Sequence, residues 1–184
     1  MKKRIFIEGT NVYLRPLDEE DIMNNYIHWF DDNDACKMNS HHKFPYSKKM
    51  LIDYVESVGS SNSELVLAII EKNNDIHIGN ISLQYINYIN RNAEFAIFMG
   101  EKSYWGRGYS TEAGRLLIEH GFKSLNLYKV YCATYSENIG MIKLAENLGF
   151  SQEGVRKEQE FKNGKYIDVL EYGLLKSNWE KGII

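Results

Sequence analysis

The sequence predicts one α/β (α+β) domain, with about four helices flanking a mixed, mostly antiparallel sheet of about six to seven strands. Three observations support this prediction. The chain has 184 residues, 43% of them hydrophobic, and only 2 prolines, which suits a single domain, residues 1–184, with a proper core. Apolar runs rich in β-branched residues alternate with segments whose apolar residues recur at helical spacing. One Gly-x-Gly corner joins such a run directly to a long amphipathic segment.

The first third of the chain contains one predicted strand and two predicted helices. The strand ends at Pro16, and Asp18 to Asp21 supply a cap and an acidic first turn for a helix that ends near Trp29. A polar, non-periodic segment follows, from Asp31 to Tyr46. Ser47 then caps a second helix, which runs to about Val58.

The remainder supplies most of the sheet. Three strands are predicted as a meander, and the Gly-x-Gly corner then opens a long helix to about Phe122. A further strand, a short helix stopped by Gly149 and two final strands follow, with Asn163-Gly164 as a tight turn between the last two. The predicted strands cover Glu64–Glu71, Ile76–Tyr85, Ala93–Met99, Tyr128–Thr134, Phe150–Val155 and Tyr166–Leu175, and the short helix covers Asn138–Leu148.

Composition argues against several classes of protein. A net charge of −3, from 22 basic and 25 acidic residues, does not suit a nucleic-acid-binding protein, and we expect no such partner. Cys36 and Cys132 form no Cys-x-x-C motif, so we expect two reduced thiols. The longest apolar run, Leu65 to Ile70, is far shorter than the roughly 20 residues that span a bilayer, and no signal-peptide pattern follows Met1. We therefore expect a soluble, cytoplasmic protein without a membrane partner.

The Gly-x-Gly corner is the main chemical signal. Glycines at a strand-to-helix junction let backbone N–H groups converge, and the helix N-terminus adds the positive end of its dipole, so such a corner suits a phosphate. The P-loop pattern is absent. A dinucleotide fingerprint would need a third glycine where Thr111 stands and an acid on the next strand, and Tyr128 to Tyr131 contain none.

A third kind of phosphate site matches better. The run WGRGYSTEA from Trp105 to Ala113, followed by Asn138 and by Leu148-Gly149-Phe150, resembles the GNAT family of acyl-CoA-dependent N-acetyltransferases. The segments YLRPLDEEDI (Tyr13 to Ile22) and NGKYIDVLEYGLL (Asn163 to Leu175) resemble the branch with ribosomal-protein N-terminal, polyamine and nucleotide-sugar acetyltransferases. The resemblance implies splayed central strands and acetyl-CoA as cosubstrate, without a metal.

The resemblance also implies roles for the residues around the corner. Main-chain groups of Ile97, Phe98 and Met99 would bind the pantetheine arm, which lies along the splayed strand like a further strand. Backbone N–H groups from Trp105 to Ser110 would surround the pyrophosphate. The Arg107 side chain, the Thr111 hydroxyl and the Asn138 amide would add contacts, although a plain helix cap also explains Asn138. The implied cofactor-binding set is Ile97, Phe98, Met99, Trp105, Gly106, Arg107, Gly108, Tyr109, Ser110, Thr111 and Asn138.

Acetyl transfer to an amine needs a base, because an aliphatic ammonium has a pKa of about 10. Glu94, at the start of the cofactor strand, is the candidate base, and an ordinary ion pair with Arg91 or a lysine is the alternative interpretation. A backbone N–H near Phe98 or Met99 would polarise the thioester carbonyl.

The group that protonates the leaving thiolate is the point at which the sequence departs from the family. Many members carry a tyrosine one turn before the Leu-Gly-Phe, and that position is Ala145 here. Tyr135 and Ser136 are candidate substitutes, as is water, and both residues are also explicable as the end of a strand. The departure leaves open a second class of function, a catalytically inert acyl-CoA-binding regulatory module.

The acceptor side is predicted in the segment between the first two helices and in the last hairpin. Aromatic, amide and imidazole groups there favour an amino-sugar nucleotide as acceptor, with a protein N-terminus or a polyamine as alternatives. Adjacent histidines in an extended segment point apart, so we expect no metal at His41-His42. Asp168 and Glu171 could hold the acceptor amine or could pair with Arg156 or Lys165. A homodimer is a further option. The predicted acceptor-binding residues are Trp29, Asn33, Asn39, His41, His42 and Asp168.

Overall fold

The computed structural model of the protein describes residues 4–182, in which eight strands form one sheet of order β1-β2-β3-β4-β5-β6-β8-β7. The strands β1 to β8 are Ile7–Glu8, Val12–Pro16, Leu65–Glu71, Ile76–Asn87, Asn92–Phe98, Lys129–Tyr135, Ser151–Lys162 and Lys165–Leu175. The helices α1 to α7 are Glu19–Asp21, Ile27–Trp29, Asn33–Cys36, Lys48–Gly59, Tyr109–Lys123, Ile139–Asn147 and Lys176–Glu180. A π-helical turn, Ile22–Tyr26, joins α1 to α2, and a 3-10 turn, Lys102–Tyr104, precedes α5.

The sheet is antiparallel except where β5 pairs with β6 in parallel, which confirms the predicted mixed fold. It has more strands than predicted because the N-terminal segment, expected as one strand with an early turn, folds as a hairpin. Ile7 in β1 lies opposite Leu14 in β2. The long helix α5 supplies the crossover that a parallel pair requires.

Helices cover both faces of the sheet. On one face, Leu117 and Phe122 of α5 join Leu83 and Phe95 of the sheet in the main core. On the other face, α1, α2 and α4 enclose a second cluster that packs against Phe98 and consists of Ile22, Tyr26, Trp29, Phe30, Leu51 and Val55. Phe98 therefore marks the face of β5 opposite α5.

Several predicted chain signals act as expected. The Ser47 side chain accepts a hydrogen bond from the Met50 N–H and caps α4. Gly149 follows α6 with φ of 84°, and the Phe150 N–H closes a Schellman-type end on the Ala145 carbonyl at 3.0 Å. Asn163 and Gly164 have φ values of 53° and 82°, as a two-residue hairpin turn requires.

The first predicted helix is less regular than its apolar spacing suggests. Asp18 caps it as expected, but Asn24 has φ of −93° and ψ of −141°, which breaks the helical path. None of the helices in residues 4–182 has the length and apolar character needed to cross a bilayer. Cys36 and Cys132 are both buried and free.

Candidate active site

The fork between β5 and β6 organises the site. The two strands pair only at Asn92–Lys129, Ala93–Val130 and Glu94–Tyr131, and then separate although both continue. Beyond Glu94, the edge of β5 that faces β6 has no strand partner within residues 4–182. Its main-chain N–H and C=O groups can therefore pair with an extended ligand. The predicted splayed strands are confirmed.

A cleft of about 1640 Å³ passes through this fork. It is bounded by the sheet, the α3–α4 segment, the Gly-x-Gly corner and α6. The predicted site residues that line it are Asn39, His41, Glu94, Ile97, Phe98, Met99, Trp105, Gly106, Gly108, Ser110, Thr111, Tyr135 and Asn138. The cleft thus brings the predicted cofactor end, the candidate base and part of the predicted acceptor segment together.

The Gly-x-Gly corner fits a pyrophosphate. Gly106 and Gly108 have φ values of 71° and 84°, a left-handed conformation that side-chain-bearing residues adopt only with strain. A Cβ atom on either glycine would meet nothing within 4 Å, so the space beside the main chain is open. Gly108 is also the N-cap of α5 and makes no side-chain capping bond. The first-turn N–H groups of α5 are therefore free for an anion.

Trp105 fastens this corner to the end of β5. Its indole Nε1 donates to the Met99 carbonyl at 2.9 Å, which engages one of the main-chain groups expected to bind pantetheine. Two side chains of the predicted set do not line the cleft. The Arg107 guanidinium lies 5.5 Å from the centre of the Tyr104 ring, and Tyr109 packs against the same ring. A charge contact from Arg107 to the pyrophosphate would need a different rotamer.

Two lysines that line the cleft, Lys102 and Lys143, are not among the residues predicted from the sequence. Lys102 lies 2.7 Å from Asp32 and 3.3 Å from Asp34, so its charge is already neutralised. Lys143 on α6 also lines the cleft and has no ion pair within the described residues. The sequence signal for Lys143 was its position in the second turn of the helix that follows Asn138. Of the two lysines, Lys143 is the better candidate for a phosphate contact.

Asn138 performs two tasks. Its Oδ1 accepts from the Met141 N–H at 3.1 Å and caps α6, while its Nδ2 donates to the Met38 carbonyl at 3.1 Å. The capping interpretation of Asn138 is therefore correct. Contact with the CoA arm stays a prediction, and it would have to share or replace the bond to Met38.

Glu94 lies at the branch of the fork, on the same face of β5 as Phe98. The alternative pairing with Arg91 is not formed, because Arg91 binds Asn126 through two hydrogen bonds of 2.8 Å. No hydrogen bond or ion pair joins the Glu94 carboxylate to any residue in the described range 4–182. Burial raises the pKa of Glu94 above its ordinary value, and the charge of Arg156 opposes that shift. A half-buried, unpaired carboxylate with a raised pKa suits a general base.

The structure distinguishes between Tyr135 and Ser136, the two candidate proton donors. Tyr135 lines the cleft, is only 7% exposed, and its hydroxyl has no hydrogen-bond partner in the described part of the chain. Burial raises its pKa, so the hydroxyl stays protonated at neutral pH. Ser136 does not line the cleft, and its main chain pairs with Asp168 at 2.9 Å. Ala145 is fully buried in the main core and leaves Tyr135 as the candidate proton donor.

The predicted acceptor segment contributes less than expected. Asn39 and His41 line the cleft, where His41 Nδ1 lies 3.0 Å from the Tyr46 hydroxyl. Burial lowers the pKa of His41, followed in effect by the charge of Lys162, so the ring is neutral at pH 7. His41 thus offers a hydrogen-bonding and aromatic surface instead of a charge.

Four predicted acceptor residues lie outside the cleft lining, and we withdraw them. Trp29 is buried over Gly100, and its Nε1 donates to Glu101 at 2.9 Å. Asn33 begins the short helix α3 and is not among the residues that line the cleft. His42 Nδ1 contacts the Phe30 carbonyl at 2.8 Å, and Asp168 pairs with Lys157 at 2.7 Å. Their polarity in the sequence reflects loop and hairpin structure.

The most informative residues missed are on β4. Asn80, Ser82 and Gln84 lie opposite Phe98, Ala96 and Glu94 and line the same cleft. They alternate with the buried residues Ile81 and Leu83, and a polar period of two in a central strand indicates a face open to a ligand. Further cleft residues without a prediction are Tyr26, Tyr46, Tyr54 and Glu160.

Metal chemistry finds no support in the geometry. No group of three or more His, Cys, Asp or Glu side chains with suitable placement occurs in the range 4–182. The adjacent histidines His41 and His42 make separate contacts with Tyr46 and with Phe30.

Comparison with known proteins agrees with this site. The family profile of the acetyltransferase (GNAT) domain matches residues 11–151. A spermidine N(1)-acetyltransferase from Escherichia coli (strain K12) is 36% identical over 161 residues, covering 87% of this chain and 83% of that protein. An uncharacterized N-acetyltransferase from Bacillus licheniformis is 29% identical over 176 residues, covering 95% and 97% of the two chains.

A solved structure is similar over the whole fold. The spermidine N-acetyltransferase from Vibrio cholerae, in complex with CoA and spermine, has a TM-score of 0.85 at 26% identity and covers 94% of this chain and 99% of its own. The fork, the glycine corner and the matched profile agree with one another. The protein belongs to the GNAT family and is an acetyl-CoA-dependent N-acetyltransferase.

Proposed function

We propose that this protein acetylates a primary amine of a polyamine, with Glu94 as the general base. The observation that carries the proposal is the Glu94 carboxylate at the fork, which lines the cleft and is unpaired within residues 4–182. Similarity to spermidine acetyltransferases supports the choice of acceptor.

The cleft has the surface that a polyamine needs. Acidic side chains Asp34, Glu94 and Glu160 line it; Asp34 pairs with Lys102 and Glu160 with Lys43, whereas Glu94 has no ion pair within residues 4–182. Between them lie the rings of Tyr26, Tyr46, Tyr54, Phe98 and Tyr135. Aromatic faces attract ammonium groups and also pack against the methylene segments that separate them. Such a wall accepts a long, flexible, multiply charged amine.

An amino-sugar nucleotide, our first expectation, finds no support among the relatives and suits the cleft less well. Its diphosphate would need free basic groups at the acceptor end. Lys43 there lies 3.3 Å from Glu160, and the Lys162 Nζ donates to the His41 carbonyl at 3.0 Å. Only Asn39 and His41 of the set predicted for that ligand line the cleft. Both of these lysines therefore already have partners within the protein.

Acetyl-CoA fits the corner and the open edge of β5, and when bound it supplies an activated acyl group with a thiolate leaving group. Glu94 would accept a proton from the bound ammonium of the acceptor, either directly or through one water, and the resulting neutral amine would attack the thioester carbonyl. A main-chain N–H near Phe98 or Met99 would stabilise negative charge on the acyl oxygen. The Tyr135 hydroxyl, protonated and without another partner, would donate to the thiolate.

The test is an acceptor panel with thiol release as the readout. Spermidine and spermine are compared with a peptide that has a free N-terminus and with an amino-sugar nucleotide, at equal concentrations. We expect a kcat/KM for the polyamines at least tenfold above that for the other two. Preference for the peptide or the nucleotide would reject the polyamine proposal and leave the acetyltransferase activity intact.

Substitutions at two separate glutamates, Glu94 and Glu119, provide the test of the base and its matched control. Glu94→Gln should lose about 10² to 10⁴ in kcat, the usual contribution of a general base. Glu119→Gln changes an exposed glutamate on α5 that pairs with Lys123, and it should leave turnover unchanged.

A further inference from the structure

A second, smaller cavity adjoins Glu94. It has a volume of about 210 Å³ and shares Glu94, Ala133 and Arg156 with the main cleft. Glu94 thus stands in the wall between the two spaces. The smaller cavity contains charged residues from four strands, β5 to β8, whereas the aromatic part of the cleft does not border it.

Arg156 is held in this cavity by a specific support. Its Nε lies 3.1 Å from Glu171 Oε1, across the β7–β8 pair. Glu171 lies opposite Gly154, and a Cβ atom on Gly154 would come within 2.8 Å of Glu171 Oε2. The missing side chain at Gly154 therefore makes room for the carboxylate that anchors Arg156.

The charged residues around Glu94 form two ion pairs, Lys129–Glu153 and Arg156–Glu171, and Glu94 belongs to neither. In the same cavity Lys129 lies 2.6 Å from Glu153, closer than the 3.1 Å between Arg156 and Glu171, so Lys129 is the more tightly paired of the two cations. Strand β4 contributes the neutral Gln84 opposite Glu94. The titratable and charged groups that share the cavity with Glu94 are Lys129, Tyr131 and Cys132 on β6, Glu153 and Arg156 on β7, and Glu171 and Tyr172 on β8.

We propose that Arg156, anchored by Glu171, is a positioning residue that keeps the Glu94 carboxylate charged when the acceptor excludes water from the fork. Arg156 uses its Nε for Glu171, which leaves the other guanidinium N–H groups for the space shared with Glu94. A guanidinium there favours the ionised carboxylate, and it also disfavours a second cation beside the attacking amine. The inference rests on the proposed role of Glu94 as the base.

The first measurement follows the Glu94 carboxyl itself. The ¹³C-carboxyl titration of the intact protein reports the pKa of Glu94 without any turnover. In Arg156→Gln we expect this pKa to rise by about one unit, the lower end of the effect of a nearby opposite charge. In Arg156→Lys, which retains a cation, the rise should be smaller. In Lys129→Gln, which removes the paired cation from the same cavity, the Glu94 titration should stay in place.

The second measurement is the pH dependence of kcat/KM. Its acidic limb should move upward in Arg156→Gln by the same amount as the carboxyl titration. The Arg156 side chain is 45% exposed on an edge strand, so the variant should fold, and Arg156→Met, which retains the aliphatic stem, repeats the test.

The outcomes separate the two proposals. An unchanged Glu94 titration in both Arg156→Gln and Arg156→Met overturns the inference, as does an equal shift in Lys129→Gln. A shifted titration with an unmoved acidic limb shows that Arg156 acts on the Glu94 carboxyl but rejects Glu94 as the base, and with it the catalytic role of Arg156.

Discussion

The Asn138 side chain connects the N-terminus of α6 to the Met38 carbonyl, across 100 positions of sequence. One end of its amide caps the helix, and the other holds the segment that covers the acceptor end of the cleft. The same segment is fastened to β7 by the bond between Lys162 and the His41 carbonyl. Cofactor and acceptor sites therefore share a structural element.

Variants of Asn138 should separate its two tasks. Asn138→Asp keeps an oxygen that caps α6 but cannot donate to Met38. We expect its stability to be retained and its KM for the acceptor to rise severalfold. Asn138→Ala loses both bonds and should be less stable by about 1 kcal/mol. Thermal unfolding and steady-state kinetics measure the two effects, and an unchanged acceptor KM in Asn138→Asp would show that the bond to Met38 has no role in binding.

A substitution at Gly108 should weaken CoA binding beyond its effect on stability. Gly108→Ala forces a Cβ into a left-handed conformation, at a cost of about 1–2 kcal/mol, and crowds the open corner. Gly164→Ala is the matched control, because Gly164 has a φ of 82° and the same open surroundings in the distant β7–β8 turn. Calorimetric titration should show at least tenfold weaker CoA binding in Gly108→Ala alone. Equal loss in both variants would point to a general effect of strain.

Activity should fall on the acidic side of neutrality. Glu94 acts as a base only when ionised, and burial raises its pKa above the ordinary value for glutamate. The acidic limb of kcat/KM should therefore lie at a pH above about 4.3, the ordinary value. A pH–rate profile of the wild type shows the limb, and Glu94→Gln should flatten it. A limb that persists in Glu94→Gln would belong to another group.

Removing the Tyr135 hydroxyl should lower activity without lowering stability. The hydroxyl is buried without a partner among the described residues, which costs a folded protein about 1 kcal/mol or more. Tyr135→Phe should therefore have an equal or higher melting temperature and a lower kcat. Tyr166→Phe changes an exposed tyrosine in the last hairpin and serves as the control for both readouts. Full kcat in Tyr135→Phe would assign thiolate protonation to water.

A buried ion pair beneath the acceptor face should set the acid stability. Asp21, with a side chain 2% exposed, binds Arg15 through contacts of 2.5 and 2.8 Å and lies 3.3 Å from His77 Nδ1. Arg15 and His77 outweigh desolvation and hold the pKa of Asp21 below its ordinary value. A lowered folded-state pKa contributes stability that is present above about pH 4 and is lost as the pH falls below that value.

Asp21→Asn tests this assignment. It should lose about 3 kcal/mol at pH 7, because Arg15 is left without its partner, and it should show a flatter decline of stability between pH 5 and pH 2. Urea denaturation over that range gives both quantities. A decline parallel to that of the wild type would place the acid-sensitive group elsewhere.

Local signals were the reliable part of the sequence. The capping residue Ser47, the stop at Gly149 and the turn at Asn163-Gly164 act through neighbouring atoms, so the chain itself specifies them. The glycine corner belongs to the same class, because a left-handed φ at Gly106 and Gly108 is a local requirement. These signals placed helix ends, the hairpin turn and the left-handed corner where the structure has them.

The acceptor end depends on contacts between distant segments. Trp29 is an aromatic residue of a kind that often binds ligands. Its indole N–H instead donates to the Glu101 carboxylate, 72 positions away in the sequence. Asp168 was expected near an amine, and its neighbour Lys157 across the hairpin engages it instead. Arg156 gains its role only because Glu171 and Gly154 meet in the β7–β8 register. No pattern within a short window carries that information.

The fork also has a mechanical consequence. Within residues 4–182, only three residue pairs of one ladder join β1–β5 to β6–β8, so the two parts of the sheet are connected over a short length. An extended ligand bound along the fork would contact both parts of the sheet. A ligand that binds only the folded state raises the stability of that state by mass action. Acetyl-CoA would then stabilise the folded enzyme as well as donate the acetyl group. The lifetime of the folded enzyme should therefore increase with the concentration of this cosubstrate.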